Sequence, residues 1–232
     1  MRYEIMKFKE GLNMSISIFQ VAGPIMIGPS SSHTAGAARL GRIAAKLADG
    51  FDFVSFGLHG SFADTGKGHG TDKALLAGVM GIREDDEAIG QAFAIAAENQ
   101  LNFEFHNTEL SGIHENSVRI GFYRDGQLLC EIDGSSLGGG EVLISRIDGY
   151  QVELTGNLPA FFIRQQDKSG VLSHITKVLA EHNINIATMK VSRKSRSEDA
   201  TCVIEVDEGA AGELLTRMKD HPNIYDVRFI GI

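Results

Sequence analysis

The 232-residue chain is long enough for one large or two small domains, and its 43% apolar and 22% charged residues are those of an ordinary globular protein. A net charge of −8 argues against a nucleic-acid partner, and no apolar run approaches the length of a membrane span. The two cysteines, Cys130 and Cys202, belong to no paired motif. They support neither a zinc site nor a disulfide scaffold, and they fall short of the ligand set of an iron–sulfur cluster.

Residues 1–13 show no clear period and read as an N-terminal extension without a signal-peptide core, so the cytoplasm is the expected location. The alternation Met14-Ser15-Ile16-Ser17-Ile18-Phe19 opens the first domain, and Met14 is a candidate initiator in place of Met1. Gly28-Pro29-Ser30-Ser31-Ser32-His33-Thr34 then precedes an amphipathic helix whose buried face is Leu40, Ile43, Ala44, Leu47 and Ala48. The polar run therefore sits at a helix N-terminus, where orphan N–H groups and the dipole favour an anion. One cap needs only one such residue; here there are four hydroxyls and a histidine.

Residues 51–58 read as a buried strand ending at His59-Gly60-Ser61. Thr65-Gly66-Lys67-Gly68-His69-Gly70-Thr71-Asp72 reads as a second ligand-type loop, with Thr71 or Asp72 capping a helix over 73–80. It lacks the order of a P-loop. Taken alone, Lys67 reads equally as a solvated loop lysine and His69 as a structural histidine. A surface helix over 87–99 should turn Ile89, Phe93 and Ala96 inward, and a strand follows over 101–105. His114-Glu115-Asn116 precedes a strand over 117–123, and Arg124-Asp125-Gly126-Gln127 is a hairpin signal. Ser135-Ser136-Leu137-Gly138-Gly139-Gly140 reads as a third loop or bulge. Helices come first and hairpin strands later, which makes the region α+β.

The pattern restarts at Asn157-Leu158-Pro159. A strand over 160–165, the turn Asp167-Lys168-Ser169-Gly170, a helix on Val171, Leu172, Ile175, Val178 and Leu179, two strands, a helix on Leu214, Leu215 and Met218, and a closing strand follow. In the last, Tyr225, Val227 and Phe229 should share one face. The order β-α-β-β-α-β is a ferredoxin-like unit.

Residues 159–232 resemble an ACT domain, on Asp167-Lys168-Ser169-Gly170-Val171 and Asn183-Ile184-Asn185-Ile186. The resemblance implies self-association through the sheets and a regulatory amino-acid site at the turn, with Asp167, Gly170 and Val171; equally, the unit only dimerises. The N-terminal motifs around Ser30, Lys67, Asn116 and Gly138, in that order, are similar to those of the iron–sulfur-dependent L-serine dehydratases (L-serine ammonia-lyases), beta chain. That resemblance covers 14–156 as a beta-chain domain, similar also to the allosteric substrate-binding domain of some phosphoglycerate dehydrogenases, with 159–232 as the ACT domain.

The family resemblance implies that L-serine is converted to pyruvate and ammonia. The [4Fe–4S] cluster would be held by a separate alpha subunit and would bind the serine hydroxyl, and no pyridoxal phosphate would be needed. This chain alone would then be inactive. On this reading His33 and His69 are the candidate catalytic groups. Ser30, Ser31, Ser32, Thr34, Ser61, Lys67, Thr71 and Asn116 are the candidate substrate-binding residues, and no metal ligand is assigned to this chain. The alternative is a non-catalytic amino-acid-binding module that senses serine for a metabolic enzyme. The sequence leaves open whether the loops serve an active or an allosteric site.

Overall fold

In a computed structural model of the protein, the residues described are 26–193, 195–196, 198–209 and 212–231. The Met14–Phe19 alternation expected to open the first domain and the 1–13 extension lie outside them. Among the described residues ten strands form two sheets. The first, in the order β2-β1-β3-β4-β5-β6, contains β1 (Phe53–His59), β2 (Asn102–Asn107), β3 (Ser117–Arg124), β4 (Gln127–Gly138), β5 (Glu141–Ile147) and β6 (Tyr150–Leu154). Only β1 and β2 pair in parallel, which demands a crossover. Helices α2 (Ser61–His69), α3 (Thr71–Val79) and α4 (Ala92–Glu98) supply it. The later strands follow as a meander through tight turns. Asp125 and Gly126 both take positive φ (50° and 75°), as do Asp148 and Gly149 (51° and 77°), the geometry that matches strand twist in two-residue hairpins.

Helix α1 (Ala37–Ala45) continues from a wide π-type turn over Ser31–Gly36. It crosses α3 almost backbone to backbone. A Cβ on Gly78 would lie 2.0 Å from the Ala38 carbonyl oxygen, and one on Gly41 would lie 2.4 Å from that of Leu75. Two glycines thus set how closely α1 and α3 approach each other. Beneath it, Leu40, Phe56, Phe62, Ile120, Phe122, Ile132 and Ile144 form the first core, each side chain contributing about 1.5–3 kcal/mol by burial.

The second sheet, β10-β7-β9-β8, is antiparallel throughout. It contains β7 (Ala160–Gln166), β8 (Ile186–Arg193), β9 (Asp199–Val206) and β10 (Ile224–Ile230), with α5 (Val171–Glu181) and α6 (Gly212–Lys219) between them in sequence. One face buries Phe161, Ile163, Ile175, Leu179, Ile204, Leu214 and Met218 with the helices. Side chains of the opposite face, Ala160, Phe162, Val203 and Ile230, belong to the first core. The two sheets are therefore joined by apolar packing as well as by the chain. The α+β class and the β-α-β-β-α-β order are those read from the sequence.

Several local expectations need correction. The 65–72 stretch is not a loop: Ser61–His69 is helical, because Gly60 (φ 55°) opens α2 and Gly70 (φ 68°, left-handed) ends it and begins α3. Thr71 is the first residue of α3, and no side chain caps that helix. Residues 135–138 continue β4, so only Gly139 and Gly140 remain as the turn. The 87–99 helix is split into a 3-10 turn (Glu87–Gln91) and α4. Phe93 is 37% exposed and stacks on Phe103 instead of pointing inward. In β10 a bulge between Ile224 and Asp226 shifts the register, so Tyr225 is exposed while Ile224 and Val227 are buried.

Candidate functional site

Ser30 caps the helix start. Its backbone is extended, its Oγ accepts from the His33 amide at 3.0 Å, and its carbonyl accepts from the amides of Thr34 and Ala35. The amides of Ser31 and Ser32 lie in the first turn, where no intrahelical acceptor exists. Gly28 (φ 115°) packs against Thr34: a Cβ there would sit 2.6 Å from the Thr34 methyl. Thr34 is buried, and its Oγ1 donates to the His69 carbonyl at 3.1 Å, fastening the start of this helix to the end of α2.

The His33 ring lies over the first turns of α2. Its Nε2 is 3.1 Å from both Ser61 Oγ and Thr65 Oγ1. The Thr65 hydroxyl donates to the Ser61 carbonyl at 2.9 Å, so its oxygen is an acceptor toward His33. This network assigns the hydrogen to Nε2 and leaves Nδ1 as the basic nitrogen. Burial holds the His33 pKa below the usual imidazole value; a hydrogen bond to the Ser61 carbonyl opposes that shift, and His69 adds to it. His33 is thus a neutral, half-buried imidazole with Phe62 at 5.3 Å and His69 at 4.8 Å between ring centroids. In His69, Nδ1–H donates to the Thr65 carbonyl at 3.1 Å, which leaves Nε2 to accept or transfer a proton.

Two further segments close on this point. The Glu115 carbonyl accepts from the Ser61 amide at 2.9 Å, and the Asn116 carbonyl accepts from the Ser136 amide at 2.8 Å. Ser136 lies against Gly36 so tightly that a Cβ on Gly36 would fall 2.0 Å from its Oγ, and Gly138 faces the Ser32 hydroxyl. The hydroxyls of Ser136 and Thr71 are fully buried without a hydrogen-bond partner among the described residues. All four sequence motifs, far apart in the chain, meet here.

Of the expected residues, Ser30, Ser32, His33, Thr34, Ser61 and His69 are brought together with Ser31 alongside. Asn116 contributes its main chain, and Thr71 lies beside Gly66. Lys67 is exposed on α2, off the Ser61, Thr65 and His69 face. Sequence reasoning missed Thr65 and Ser136 as site residues, although both stood inside the motifs. The signal for Thr65 was its spacing of four from Ser61 and His69, legible only once 61–69 is taken as helix.

At the ACT turn, Asp167 pairs with Arg193 at 2.8 Å, Gly170 (φ 92°) begins α5 and Val171 is buried in the second core.

A [4Fe–4S] cluster does not fit this chain's donors. Cys130 and Cys202 lie buried in separate strands, and burial pushes each thiol up to about 12, so neither supplies a thiolate. Among the described residues no group of three His, Cys, Asp or Glu is arranged to hold a metal ion. No helix among them is long and apolar enough to cross a membrane.

Comparison with known proteins gives the class: a serine dehydratase beta-chain domain followed by an ACT unit. The family described as serine dehydratase beta chain matches residues 17–100, and the ACT domain family matches 160–223. The chain is 40% identical over 215 residues to the "Probable L-serine dehydratase, beta chain" of Bacillus subtilis, covering 91% of this chain and 96% of that one. It is 39% identical over 195 residues to the L-serine dehydratase, beta chain, of Peptoniphilus asaccharolyticus (83% and 87%). A D-3-phosphoglycerate dehydrogenase of Bacillus subtilis is 25% identical over 163 residues, 69% of this chain and 30% of that one. The chain belongs to the L-serine dehydratase beta-chain family, and is thereby a subunit of a lyase.

Proposed function

We propose that this chain is the substrate-handling subunit of a two-chain L-serine dehydratase, with its domains at 14–156 and 159–232. An alpha subunit would supply the [4Fe–4S] cluster that these thiols do not hold. The observation that carries this reading is the convergence of four separate motifs on one helix start, where a neutral His33 sits among hydroxyls. The Ser31 and Ser32 amides hold the carboxylate of L-serine, and the neighbouring hydroxyls add donors. The lowered pKa keeps His33 unprotonated near neutral pH, as a group that accepts a proton must be, and His69 is placed to exchange one with it. Overall, L-serine loses its α-proton and hydroxide to give aminoacrylate, which tautomerises and takes up water to yield pyruvate and ammonia. No pyridoxal phosphate takes part. The ACT sheet offers the exposed edge strand β8 for pairing with a second copy, and the assembly works in the cytoplasm.

The test is anaerobic reconstitution of this chain with a cysteine-bearing alpha chain, without added pyridoxal phosphate. Pyruvate should form from L-serine with both chains and with neither alone; a fully clustered complex that releases none contradicts the reading. The similarity to a D-3-phosphoglycerate dehydrogenase favours a second reading, in which the same loops sense serine for regulation. His69→Ala separates the two. Catalysis predicts at least about a tenfold loss of turnover, whereas sensing predicts unchanged turnover with altered serine cooperativity.

A further inference from the structure

Between the two sheets runs a cleft of about 630 Å³, lined by Arg119 and Arg146 of the first sheet and by Ser192, Arg193 and Thr201 of the second. A smaller cleft of about 270 Å³ shares Arg146, Gln151 and Ser192 with it and adds Lys190, so the two lie side by side along the seam. Four cationic side chains line this seam beside five carboxylates, Glu131, Asp133, Glu153, Asp167 and Asp199, so what the seam offers an anion is unused N–H donors and not a surplus of positive charge.

Their acidic partners leave donors over. Asp133, 2% exposed, is held by Arg119 through two hydrogen bonds of 2.7 and 2.8 Å, with Glu131 a further 3.6 Å from Arg119. Arg146 reaches the same carboxylate by a single N–H at 3.3 Å. Arg193 gives one N–H to Asp167, and Lys190 pairs with Glu153. The remaining carboxylate on the wall, Asp199, accepts from the Tyr150 hydroxyl at 2.7 Å. A guanidinium carries five N–H donors and no acceptor, in a fork that fits a carboxylate or phosphate.

We propose that this seam binds a small oxyanion, phosphate or carboxylate, bridging Arg146 of the first sheet and Arg193 of the ACT unit. The ligand ties the two sheets together, and Ser192 and Gln151 supply neutral donors beside it. The site is separate from the His33 cluster, so its failure leaves the lyase reading standing.

The experiment uses the full chain, titrated with inorganic phosphate and, in a second arm, malonate, against chloride at matched ionic strength. Heat of binding and thermal midpoint are both read. Saturable binding that weakens at least tenfold in both Arg146→Gln and Arg193→Gln supports the proposal, and the stronger arm tells phosphate from carboxylate. A response that never saturates, or that is equal in wild type and variants, overturns it as charge screening. Circular dichroism verifies folding. Should Arg146→Gln fail to fold, Arg193→Gln, which alters only an exposed pair, decides the matter by itself.

Discussion

Two helix starts in this molecule solve the same local problem differently. At α5 a left-handed Gly170 opens the helix without a side-chain cap; residues 168–170 are exposed and Val171 plugs directly into the core. At the Ser31–Gly36 turn that leads into α1 the cap is a single serine, yet three more hydroxyls and a histidine crowd the turn, tied to α2. The first is a turn that the fold needs. The second carries more polar chemistry than capping requires, and its neighbours Ser136 and Thr71 leave buried hydroxyls unpaired. Polar groups kept at such a cost support the proposal that a guest binds here.

The contrast can be broken or sharpened by substitution. Phe162, fully buried where the ACT sheet meets the first core, ties the regions together; Phe162→Ala should cost about 3–5 kcal/mol and lower both regions in one urea transition. Separate transitions in the wild type would show the two sheets to be independent. Gly78→Ala drives a methyl onto the Ala38 carbonyl and should cost about 1–3 kcal/mol by overpacking, together with loss of activity as the 30–34 turn shifts. A neutral result would mean that α1 and α3 separate easily.

Ser136→Ala removes a buried hydroxyl without a partner. Chemical denaturation should find the chain more stable by about 1 kcal/mol, while the KM for L-serine rises. Lower stability with unchanged KM would make Ser136 a structural residue.

The smallest effect concerns pH. The folded-state pKa of His33 lies below 6.5, so the unfolded chain binds the extra proton first. Stability from this group is complete above that value and declines as pH falls below it. The acid limb of kcat/KM should likewise fall below 6.5 and disappear in His33→Ala. A limb at or above 6.5 would assign it to another group.

Much of this architecture was legible in the chain. The face from Leu40 to Ala48, the Asp125-Gly126 hairpin and the β-α-β-β-α-β order all follow from spacing and turn chemistry, because each is a local rule with one outcome. The 61–69 helix was obscured because two of its nine residues, Gly66 and Gly68, are glycines that oppose helix propensity. Packing decides instead, with Gly66 buried against Thr71. Tyr225 was misplaced because a bulge adds a residue that alternation cannot see. The meeting of Ser136 with Gly36 joins residues a hundred positions apart, and only the folded sheet brings them into contact.

The most direct test of the central claim is turnover by the anaerobically assembled two-chain complex carrying His33→Ala, measured as pyruvate released from saturating L-serine. The account predicts a fall in kcat of about 100-fold or more, with assembly and cluster content unchanged. An unaltered kcat, with only the serine dependence shifted, would contradict it and make the His33 cluster a sensing site.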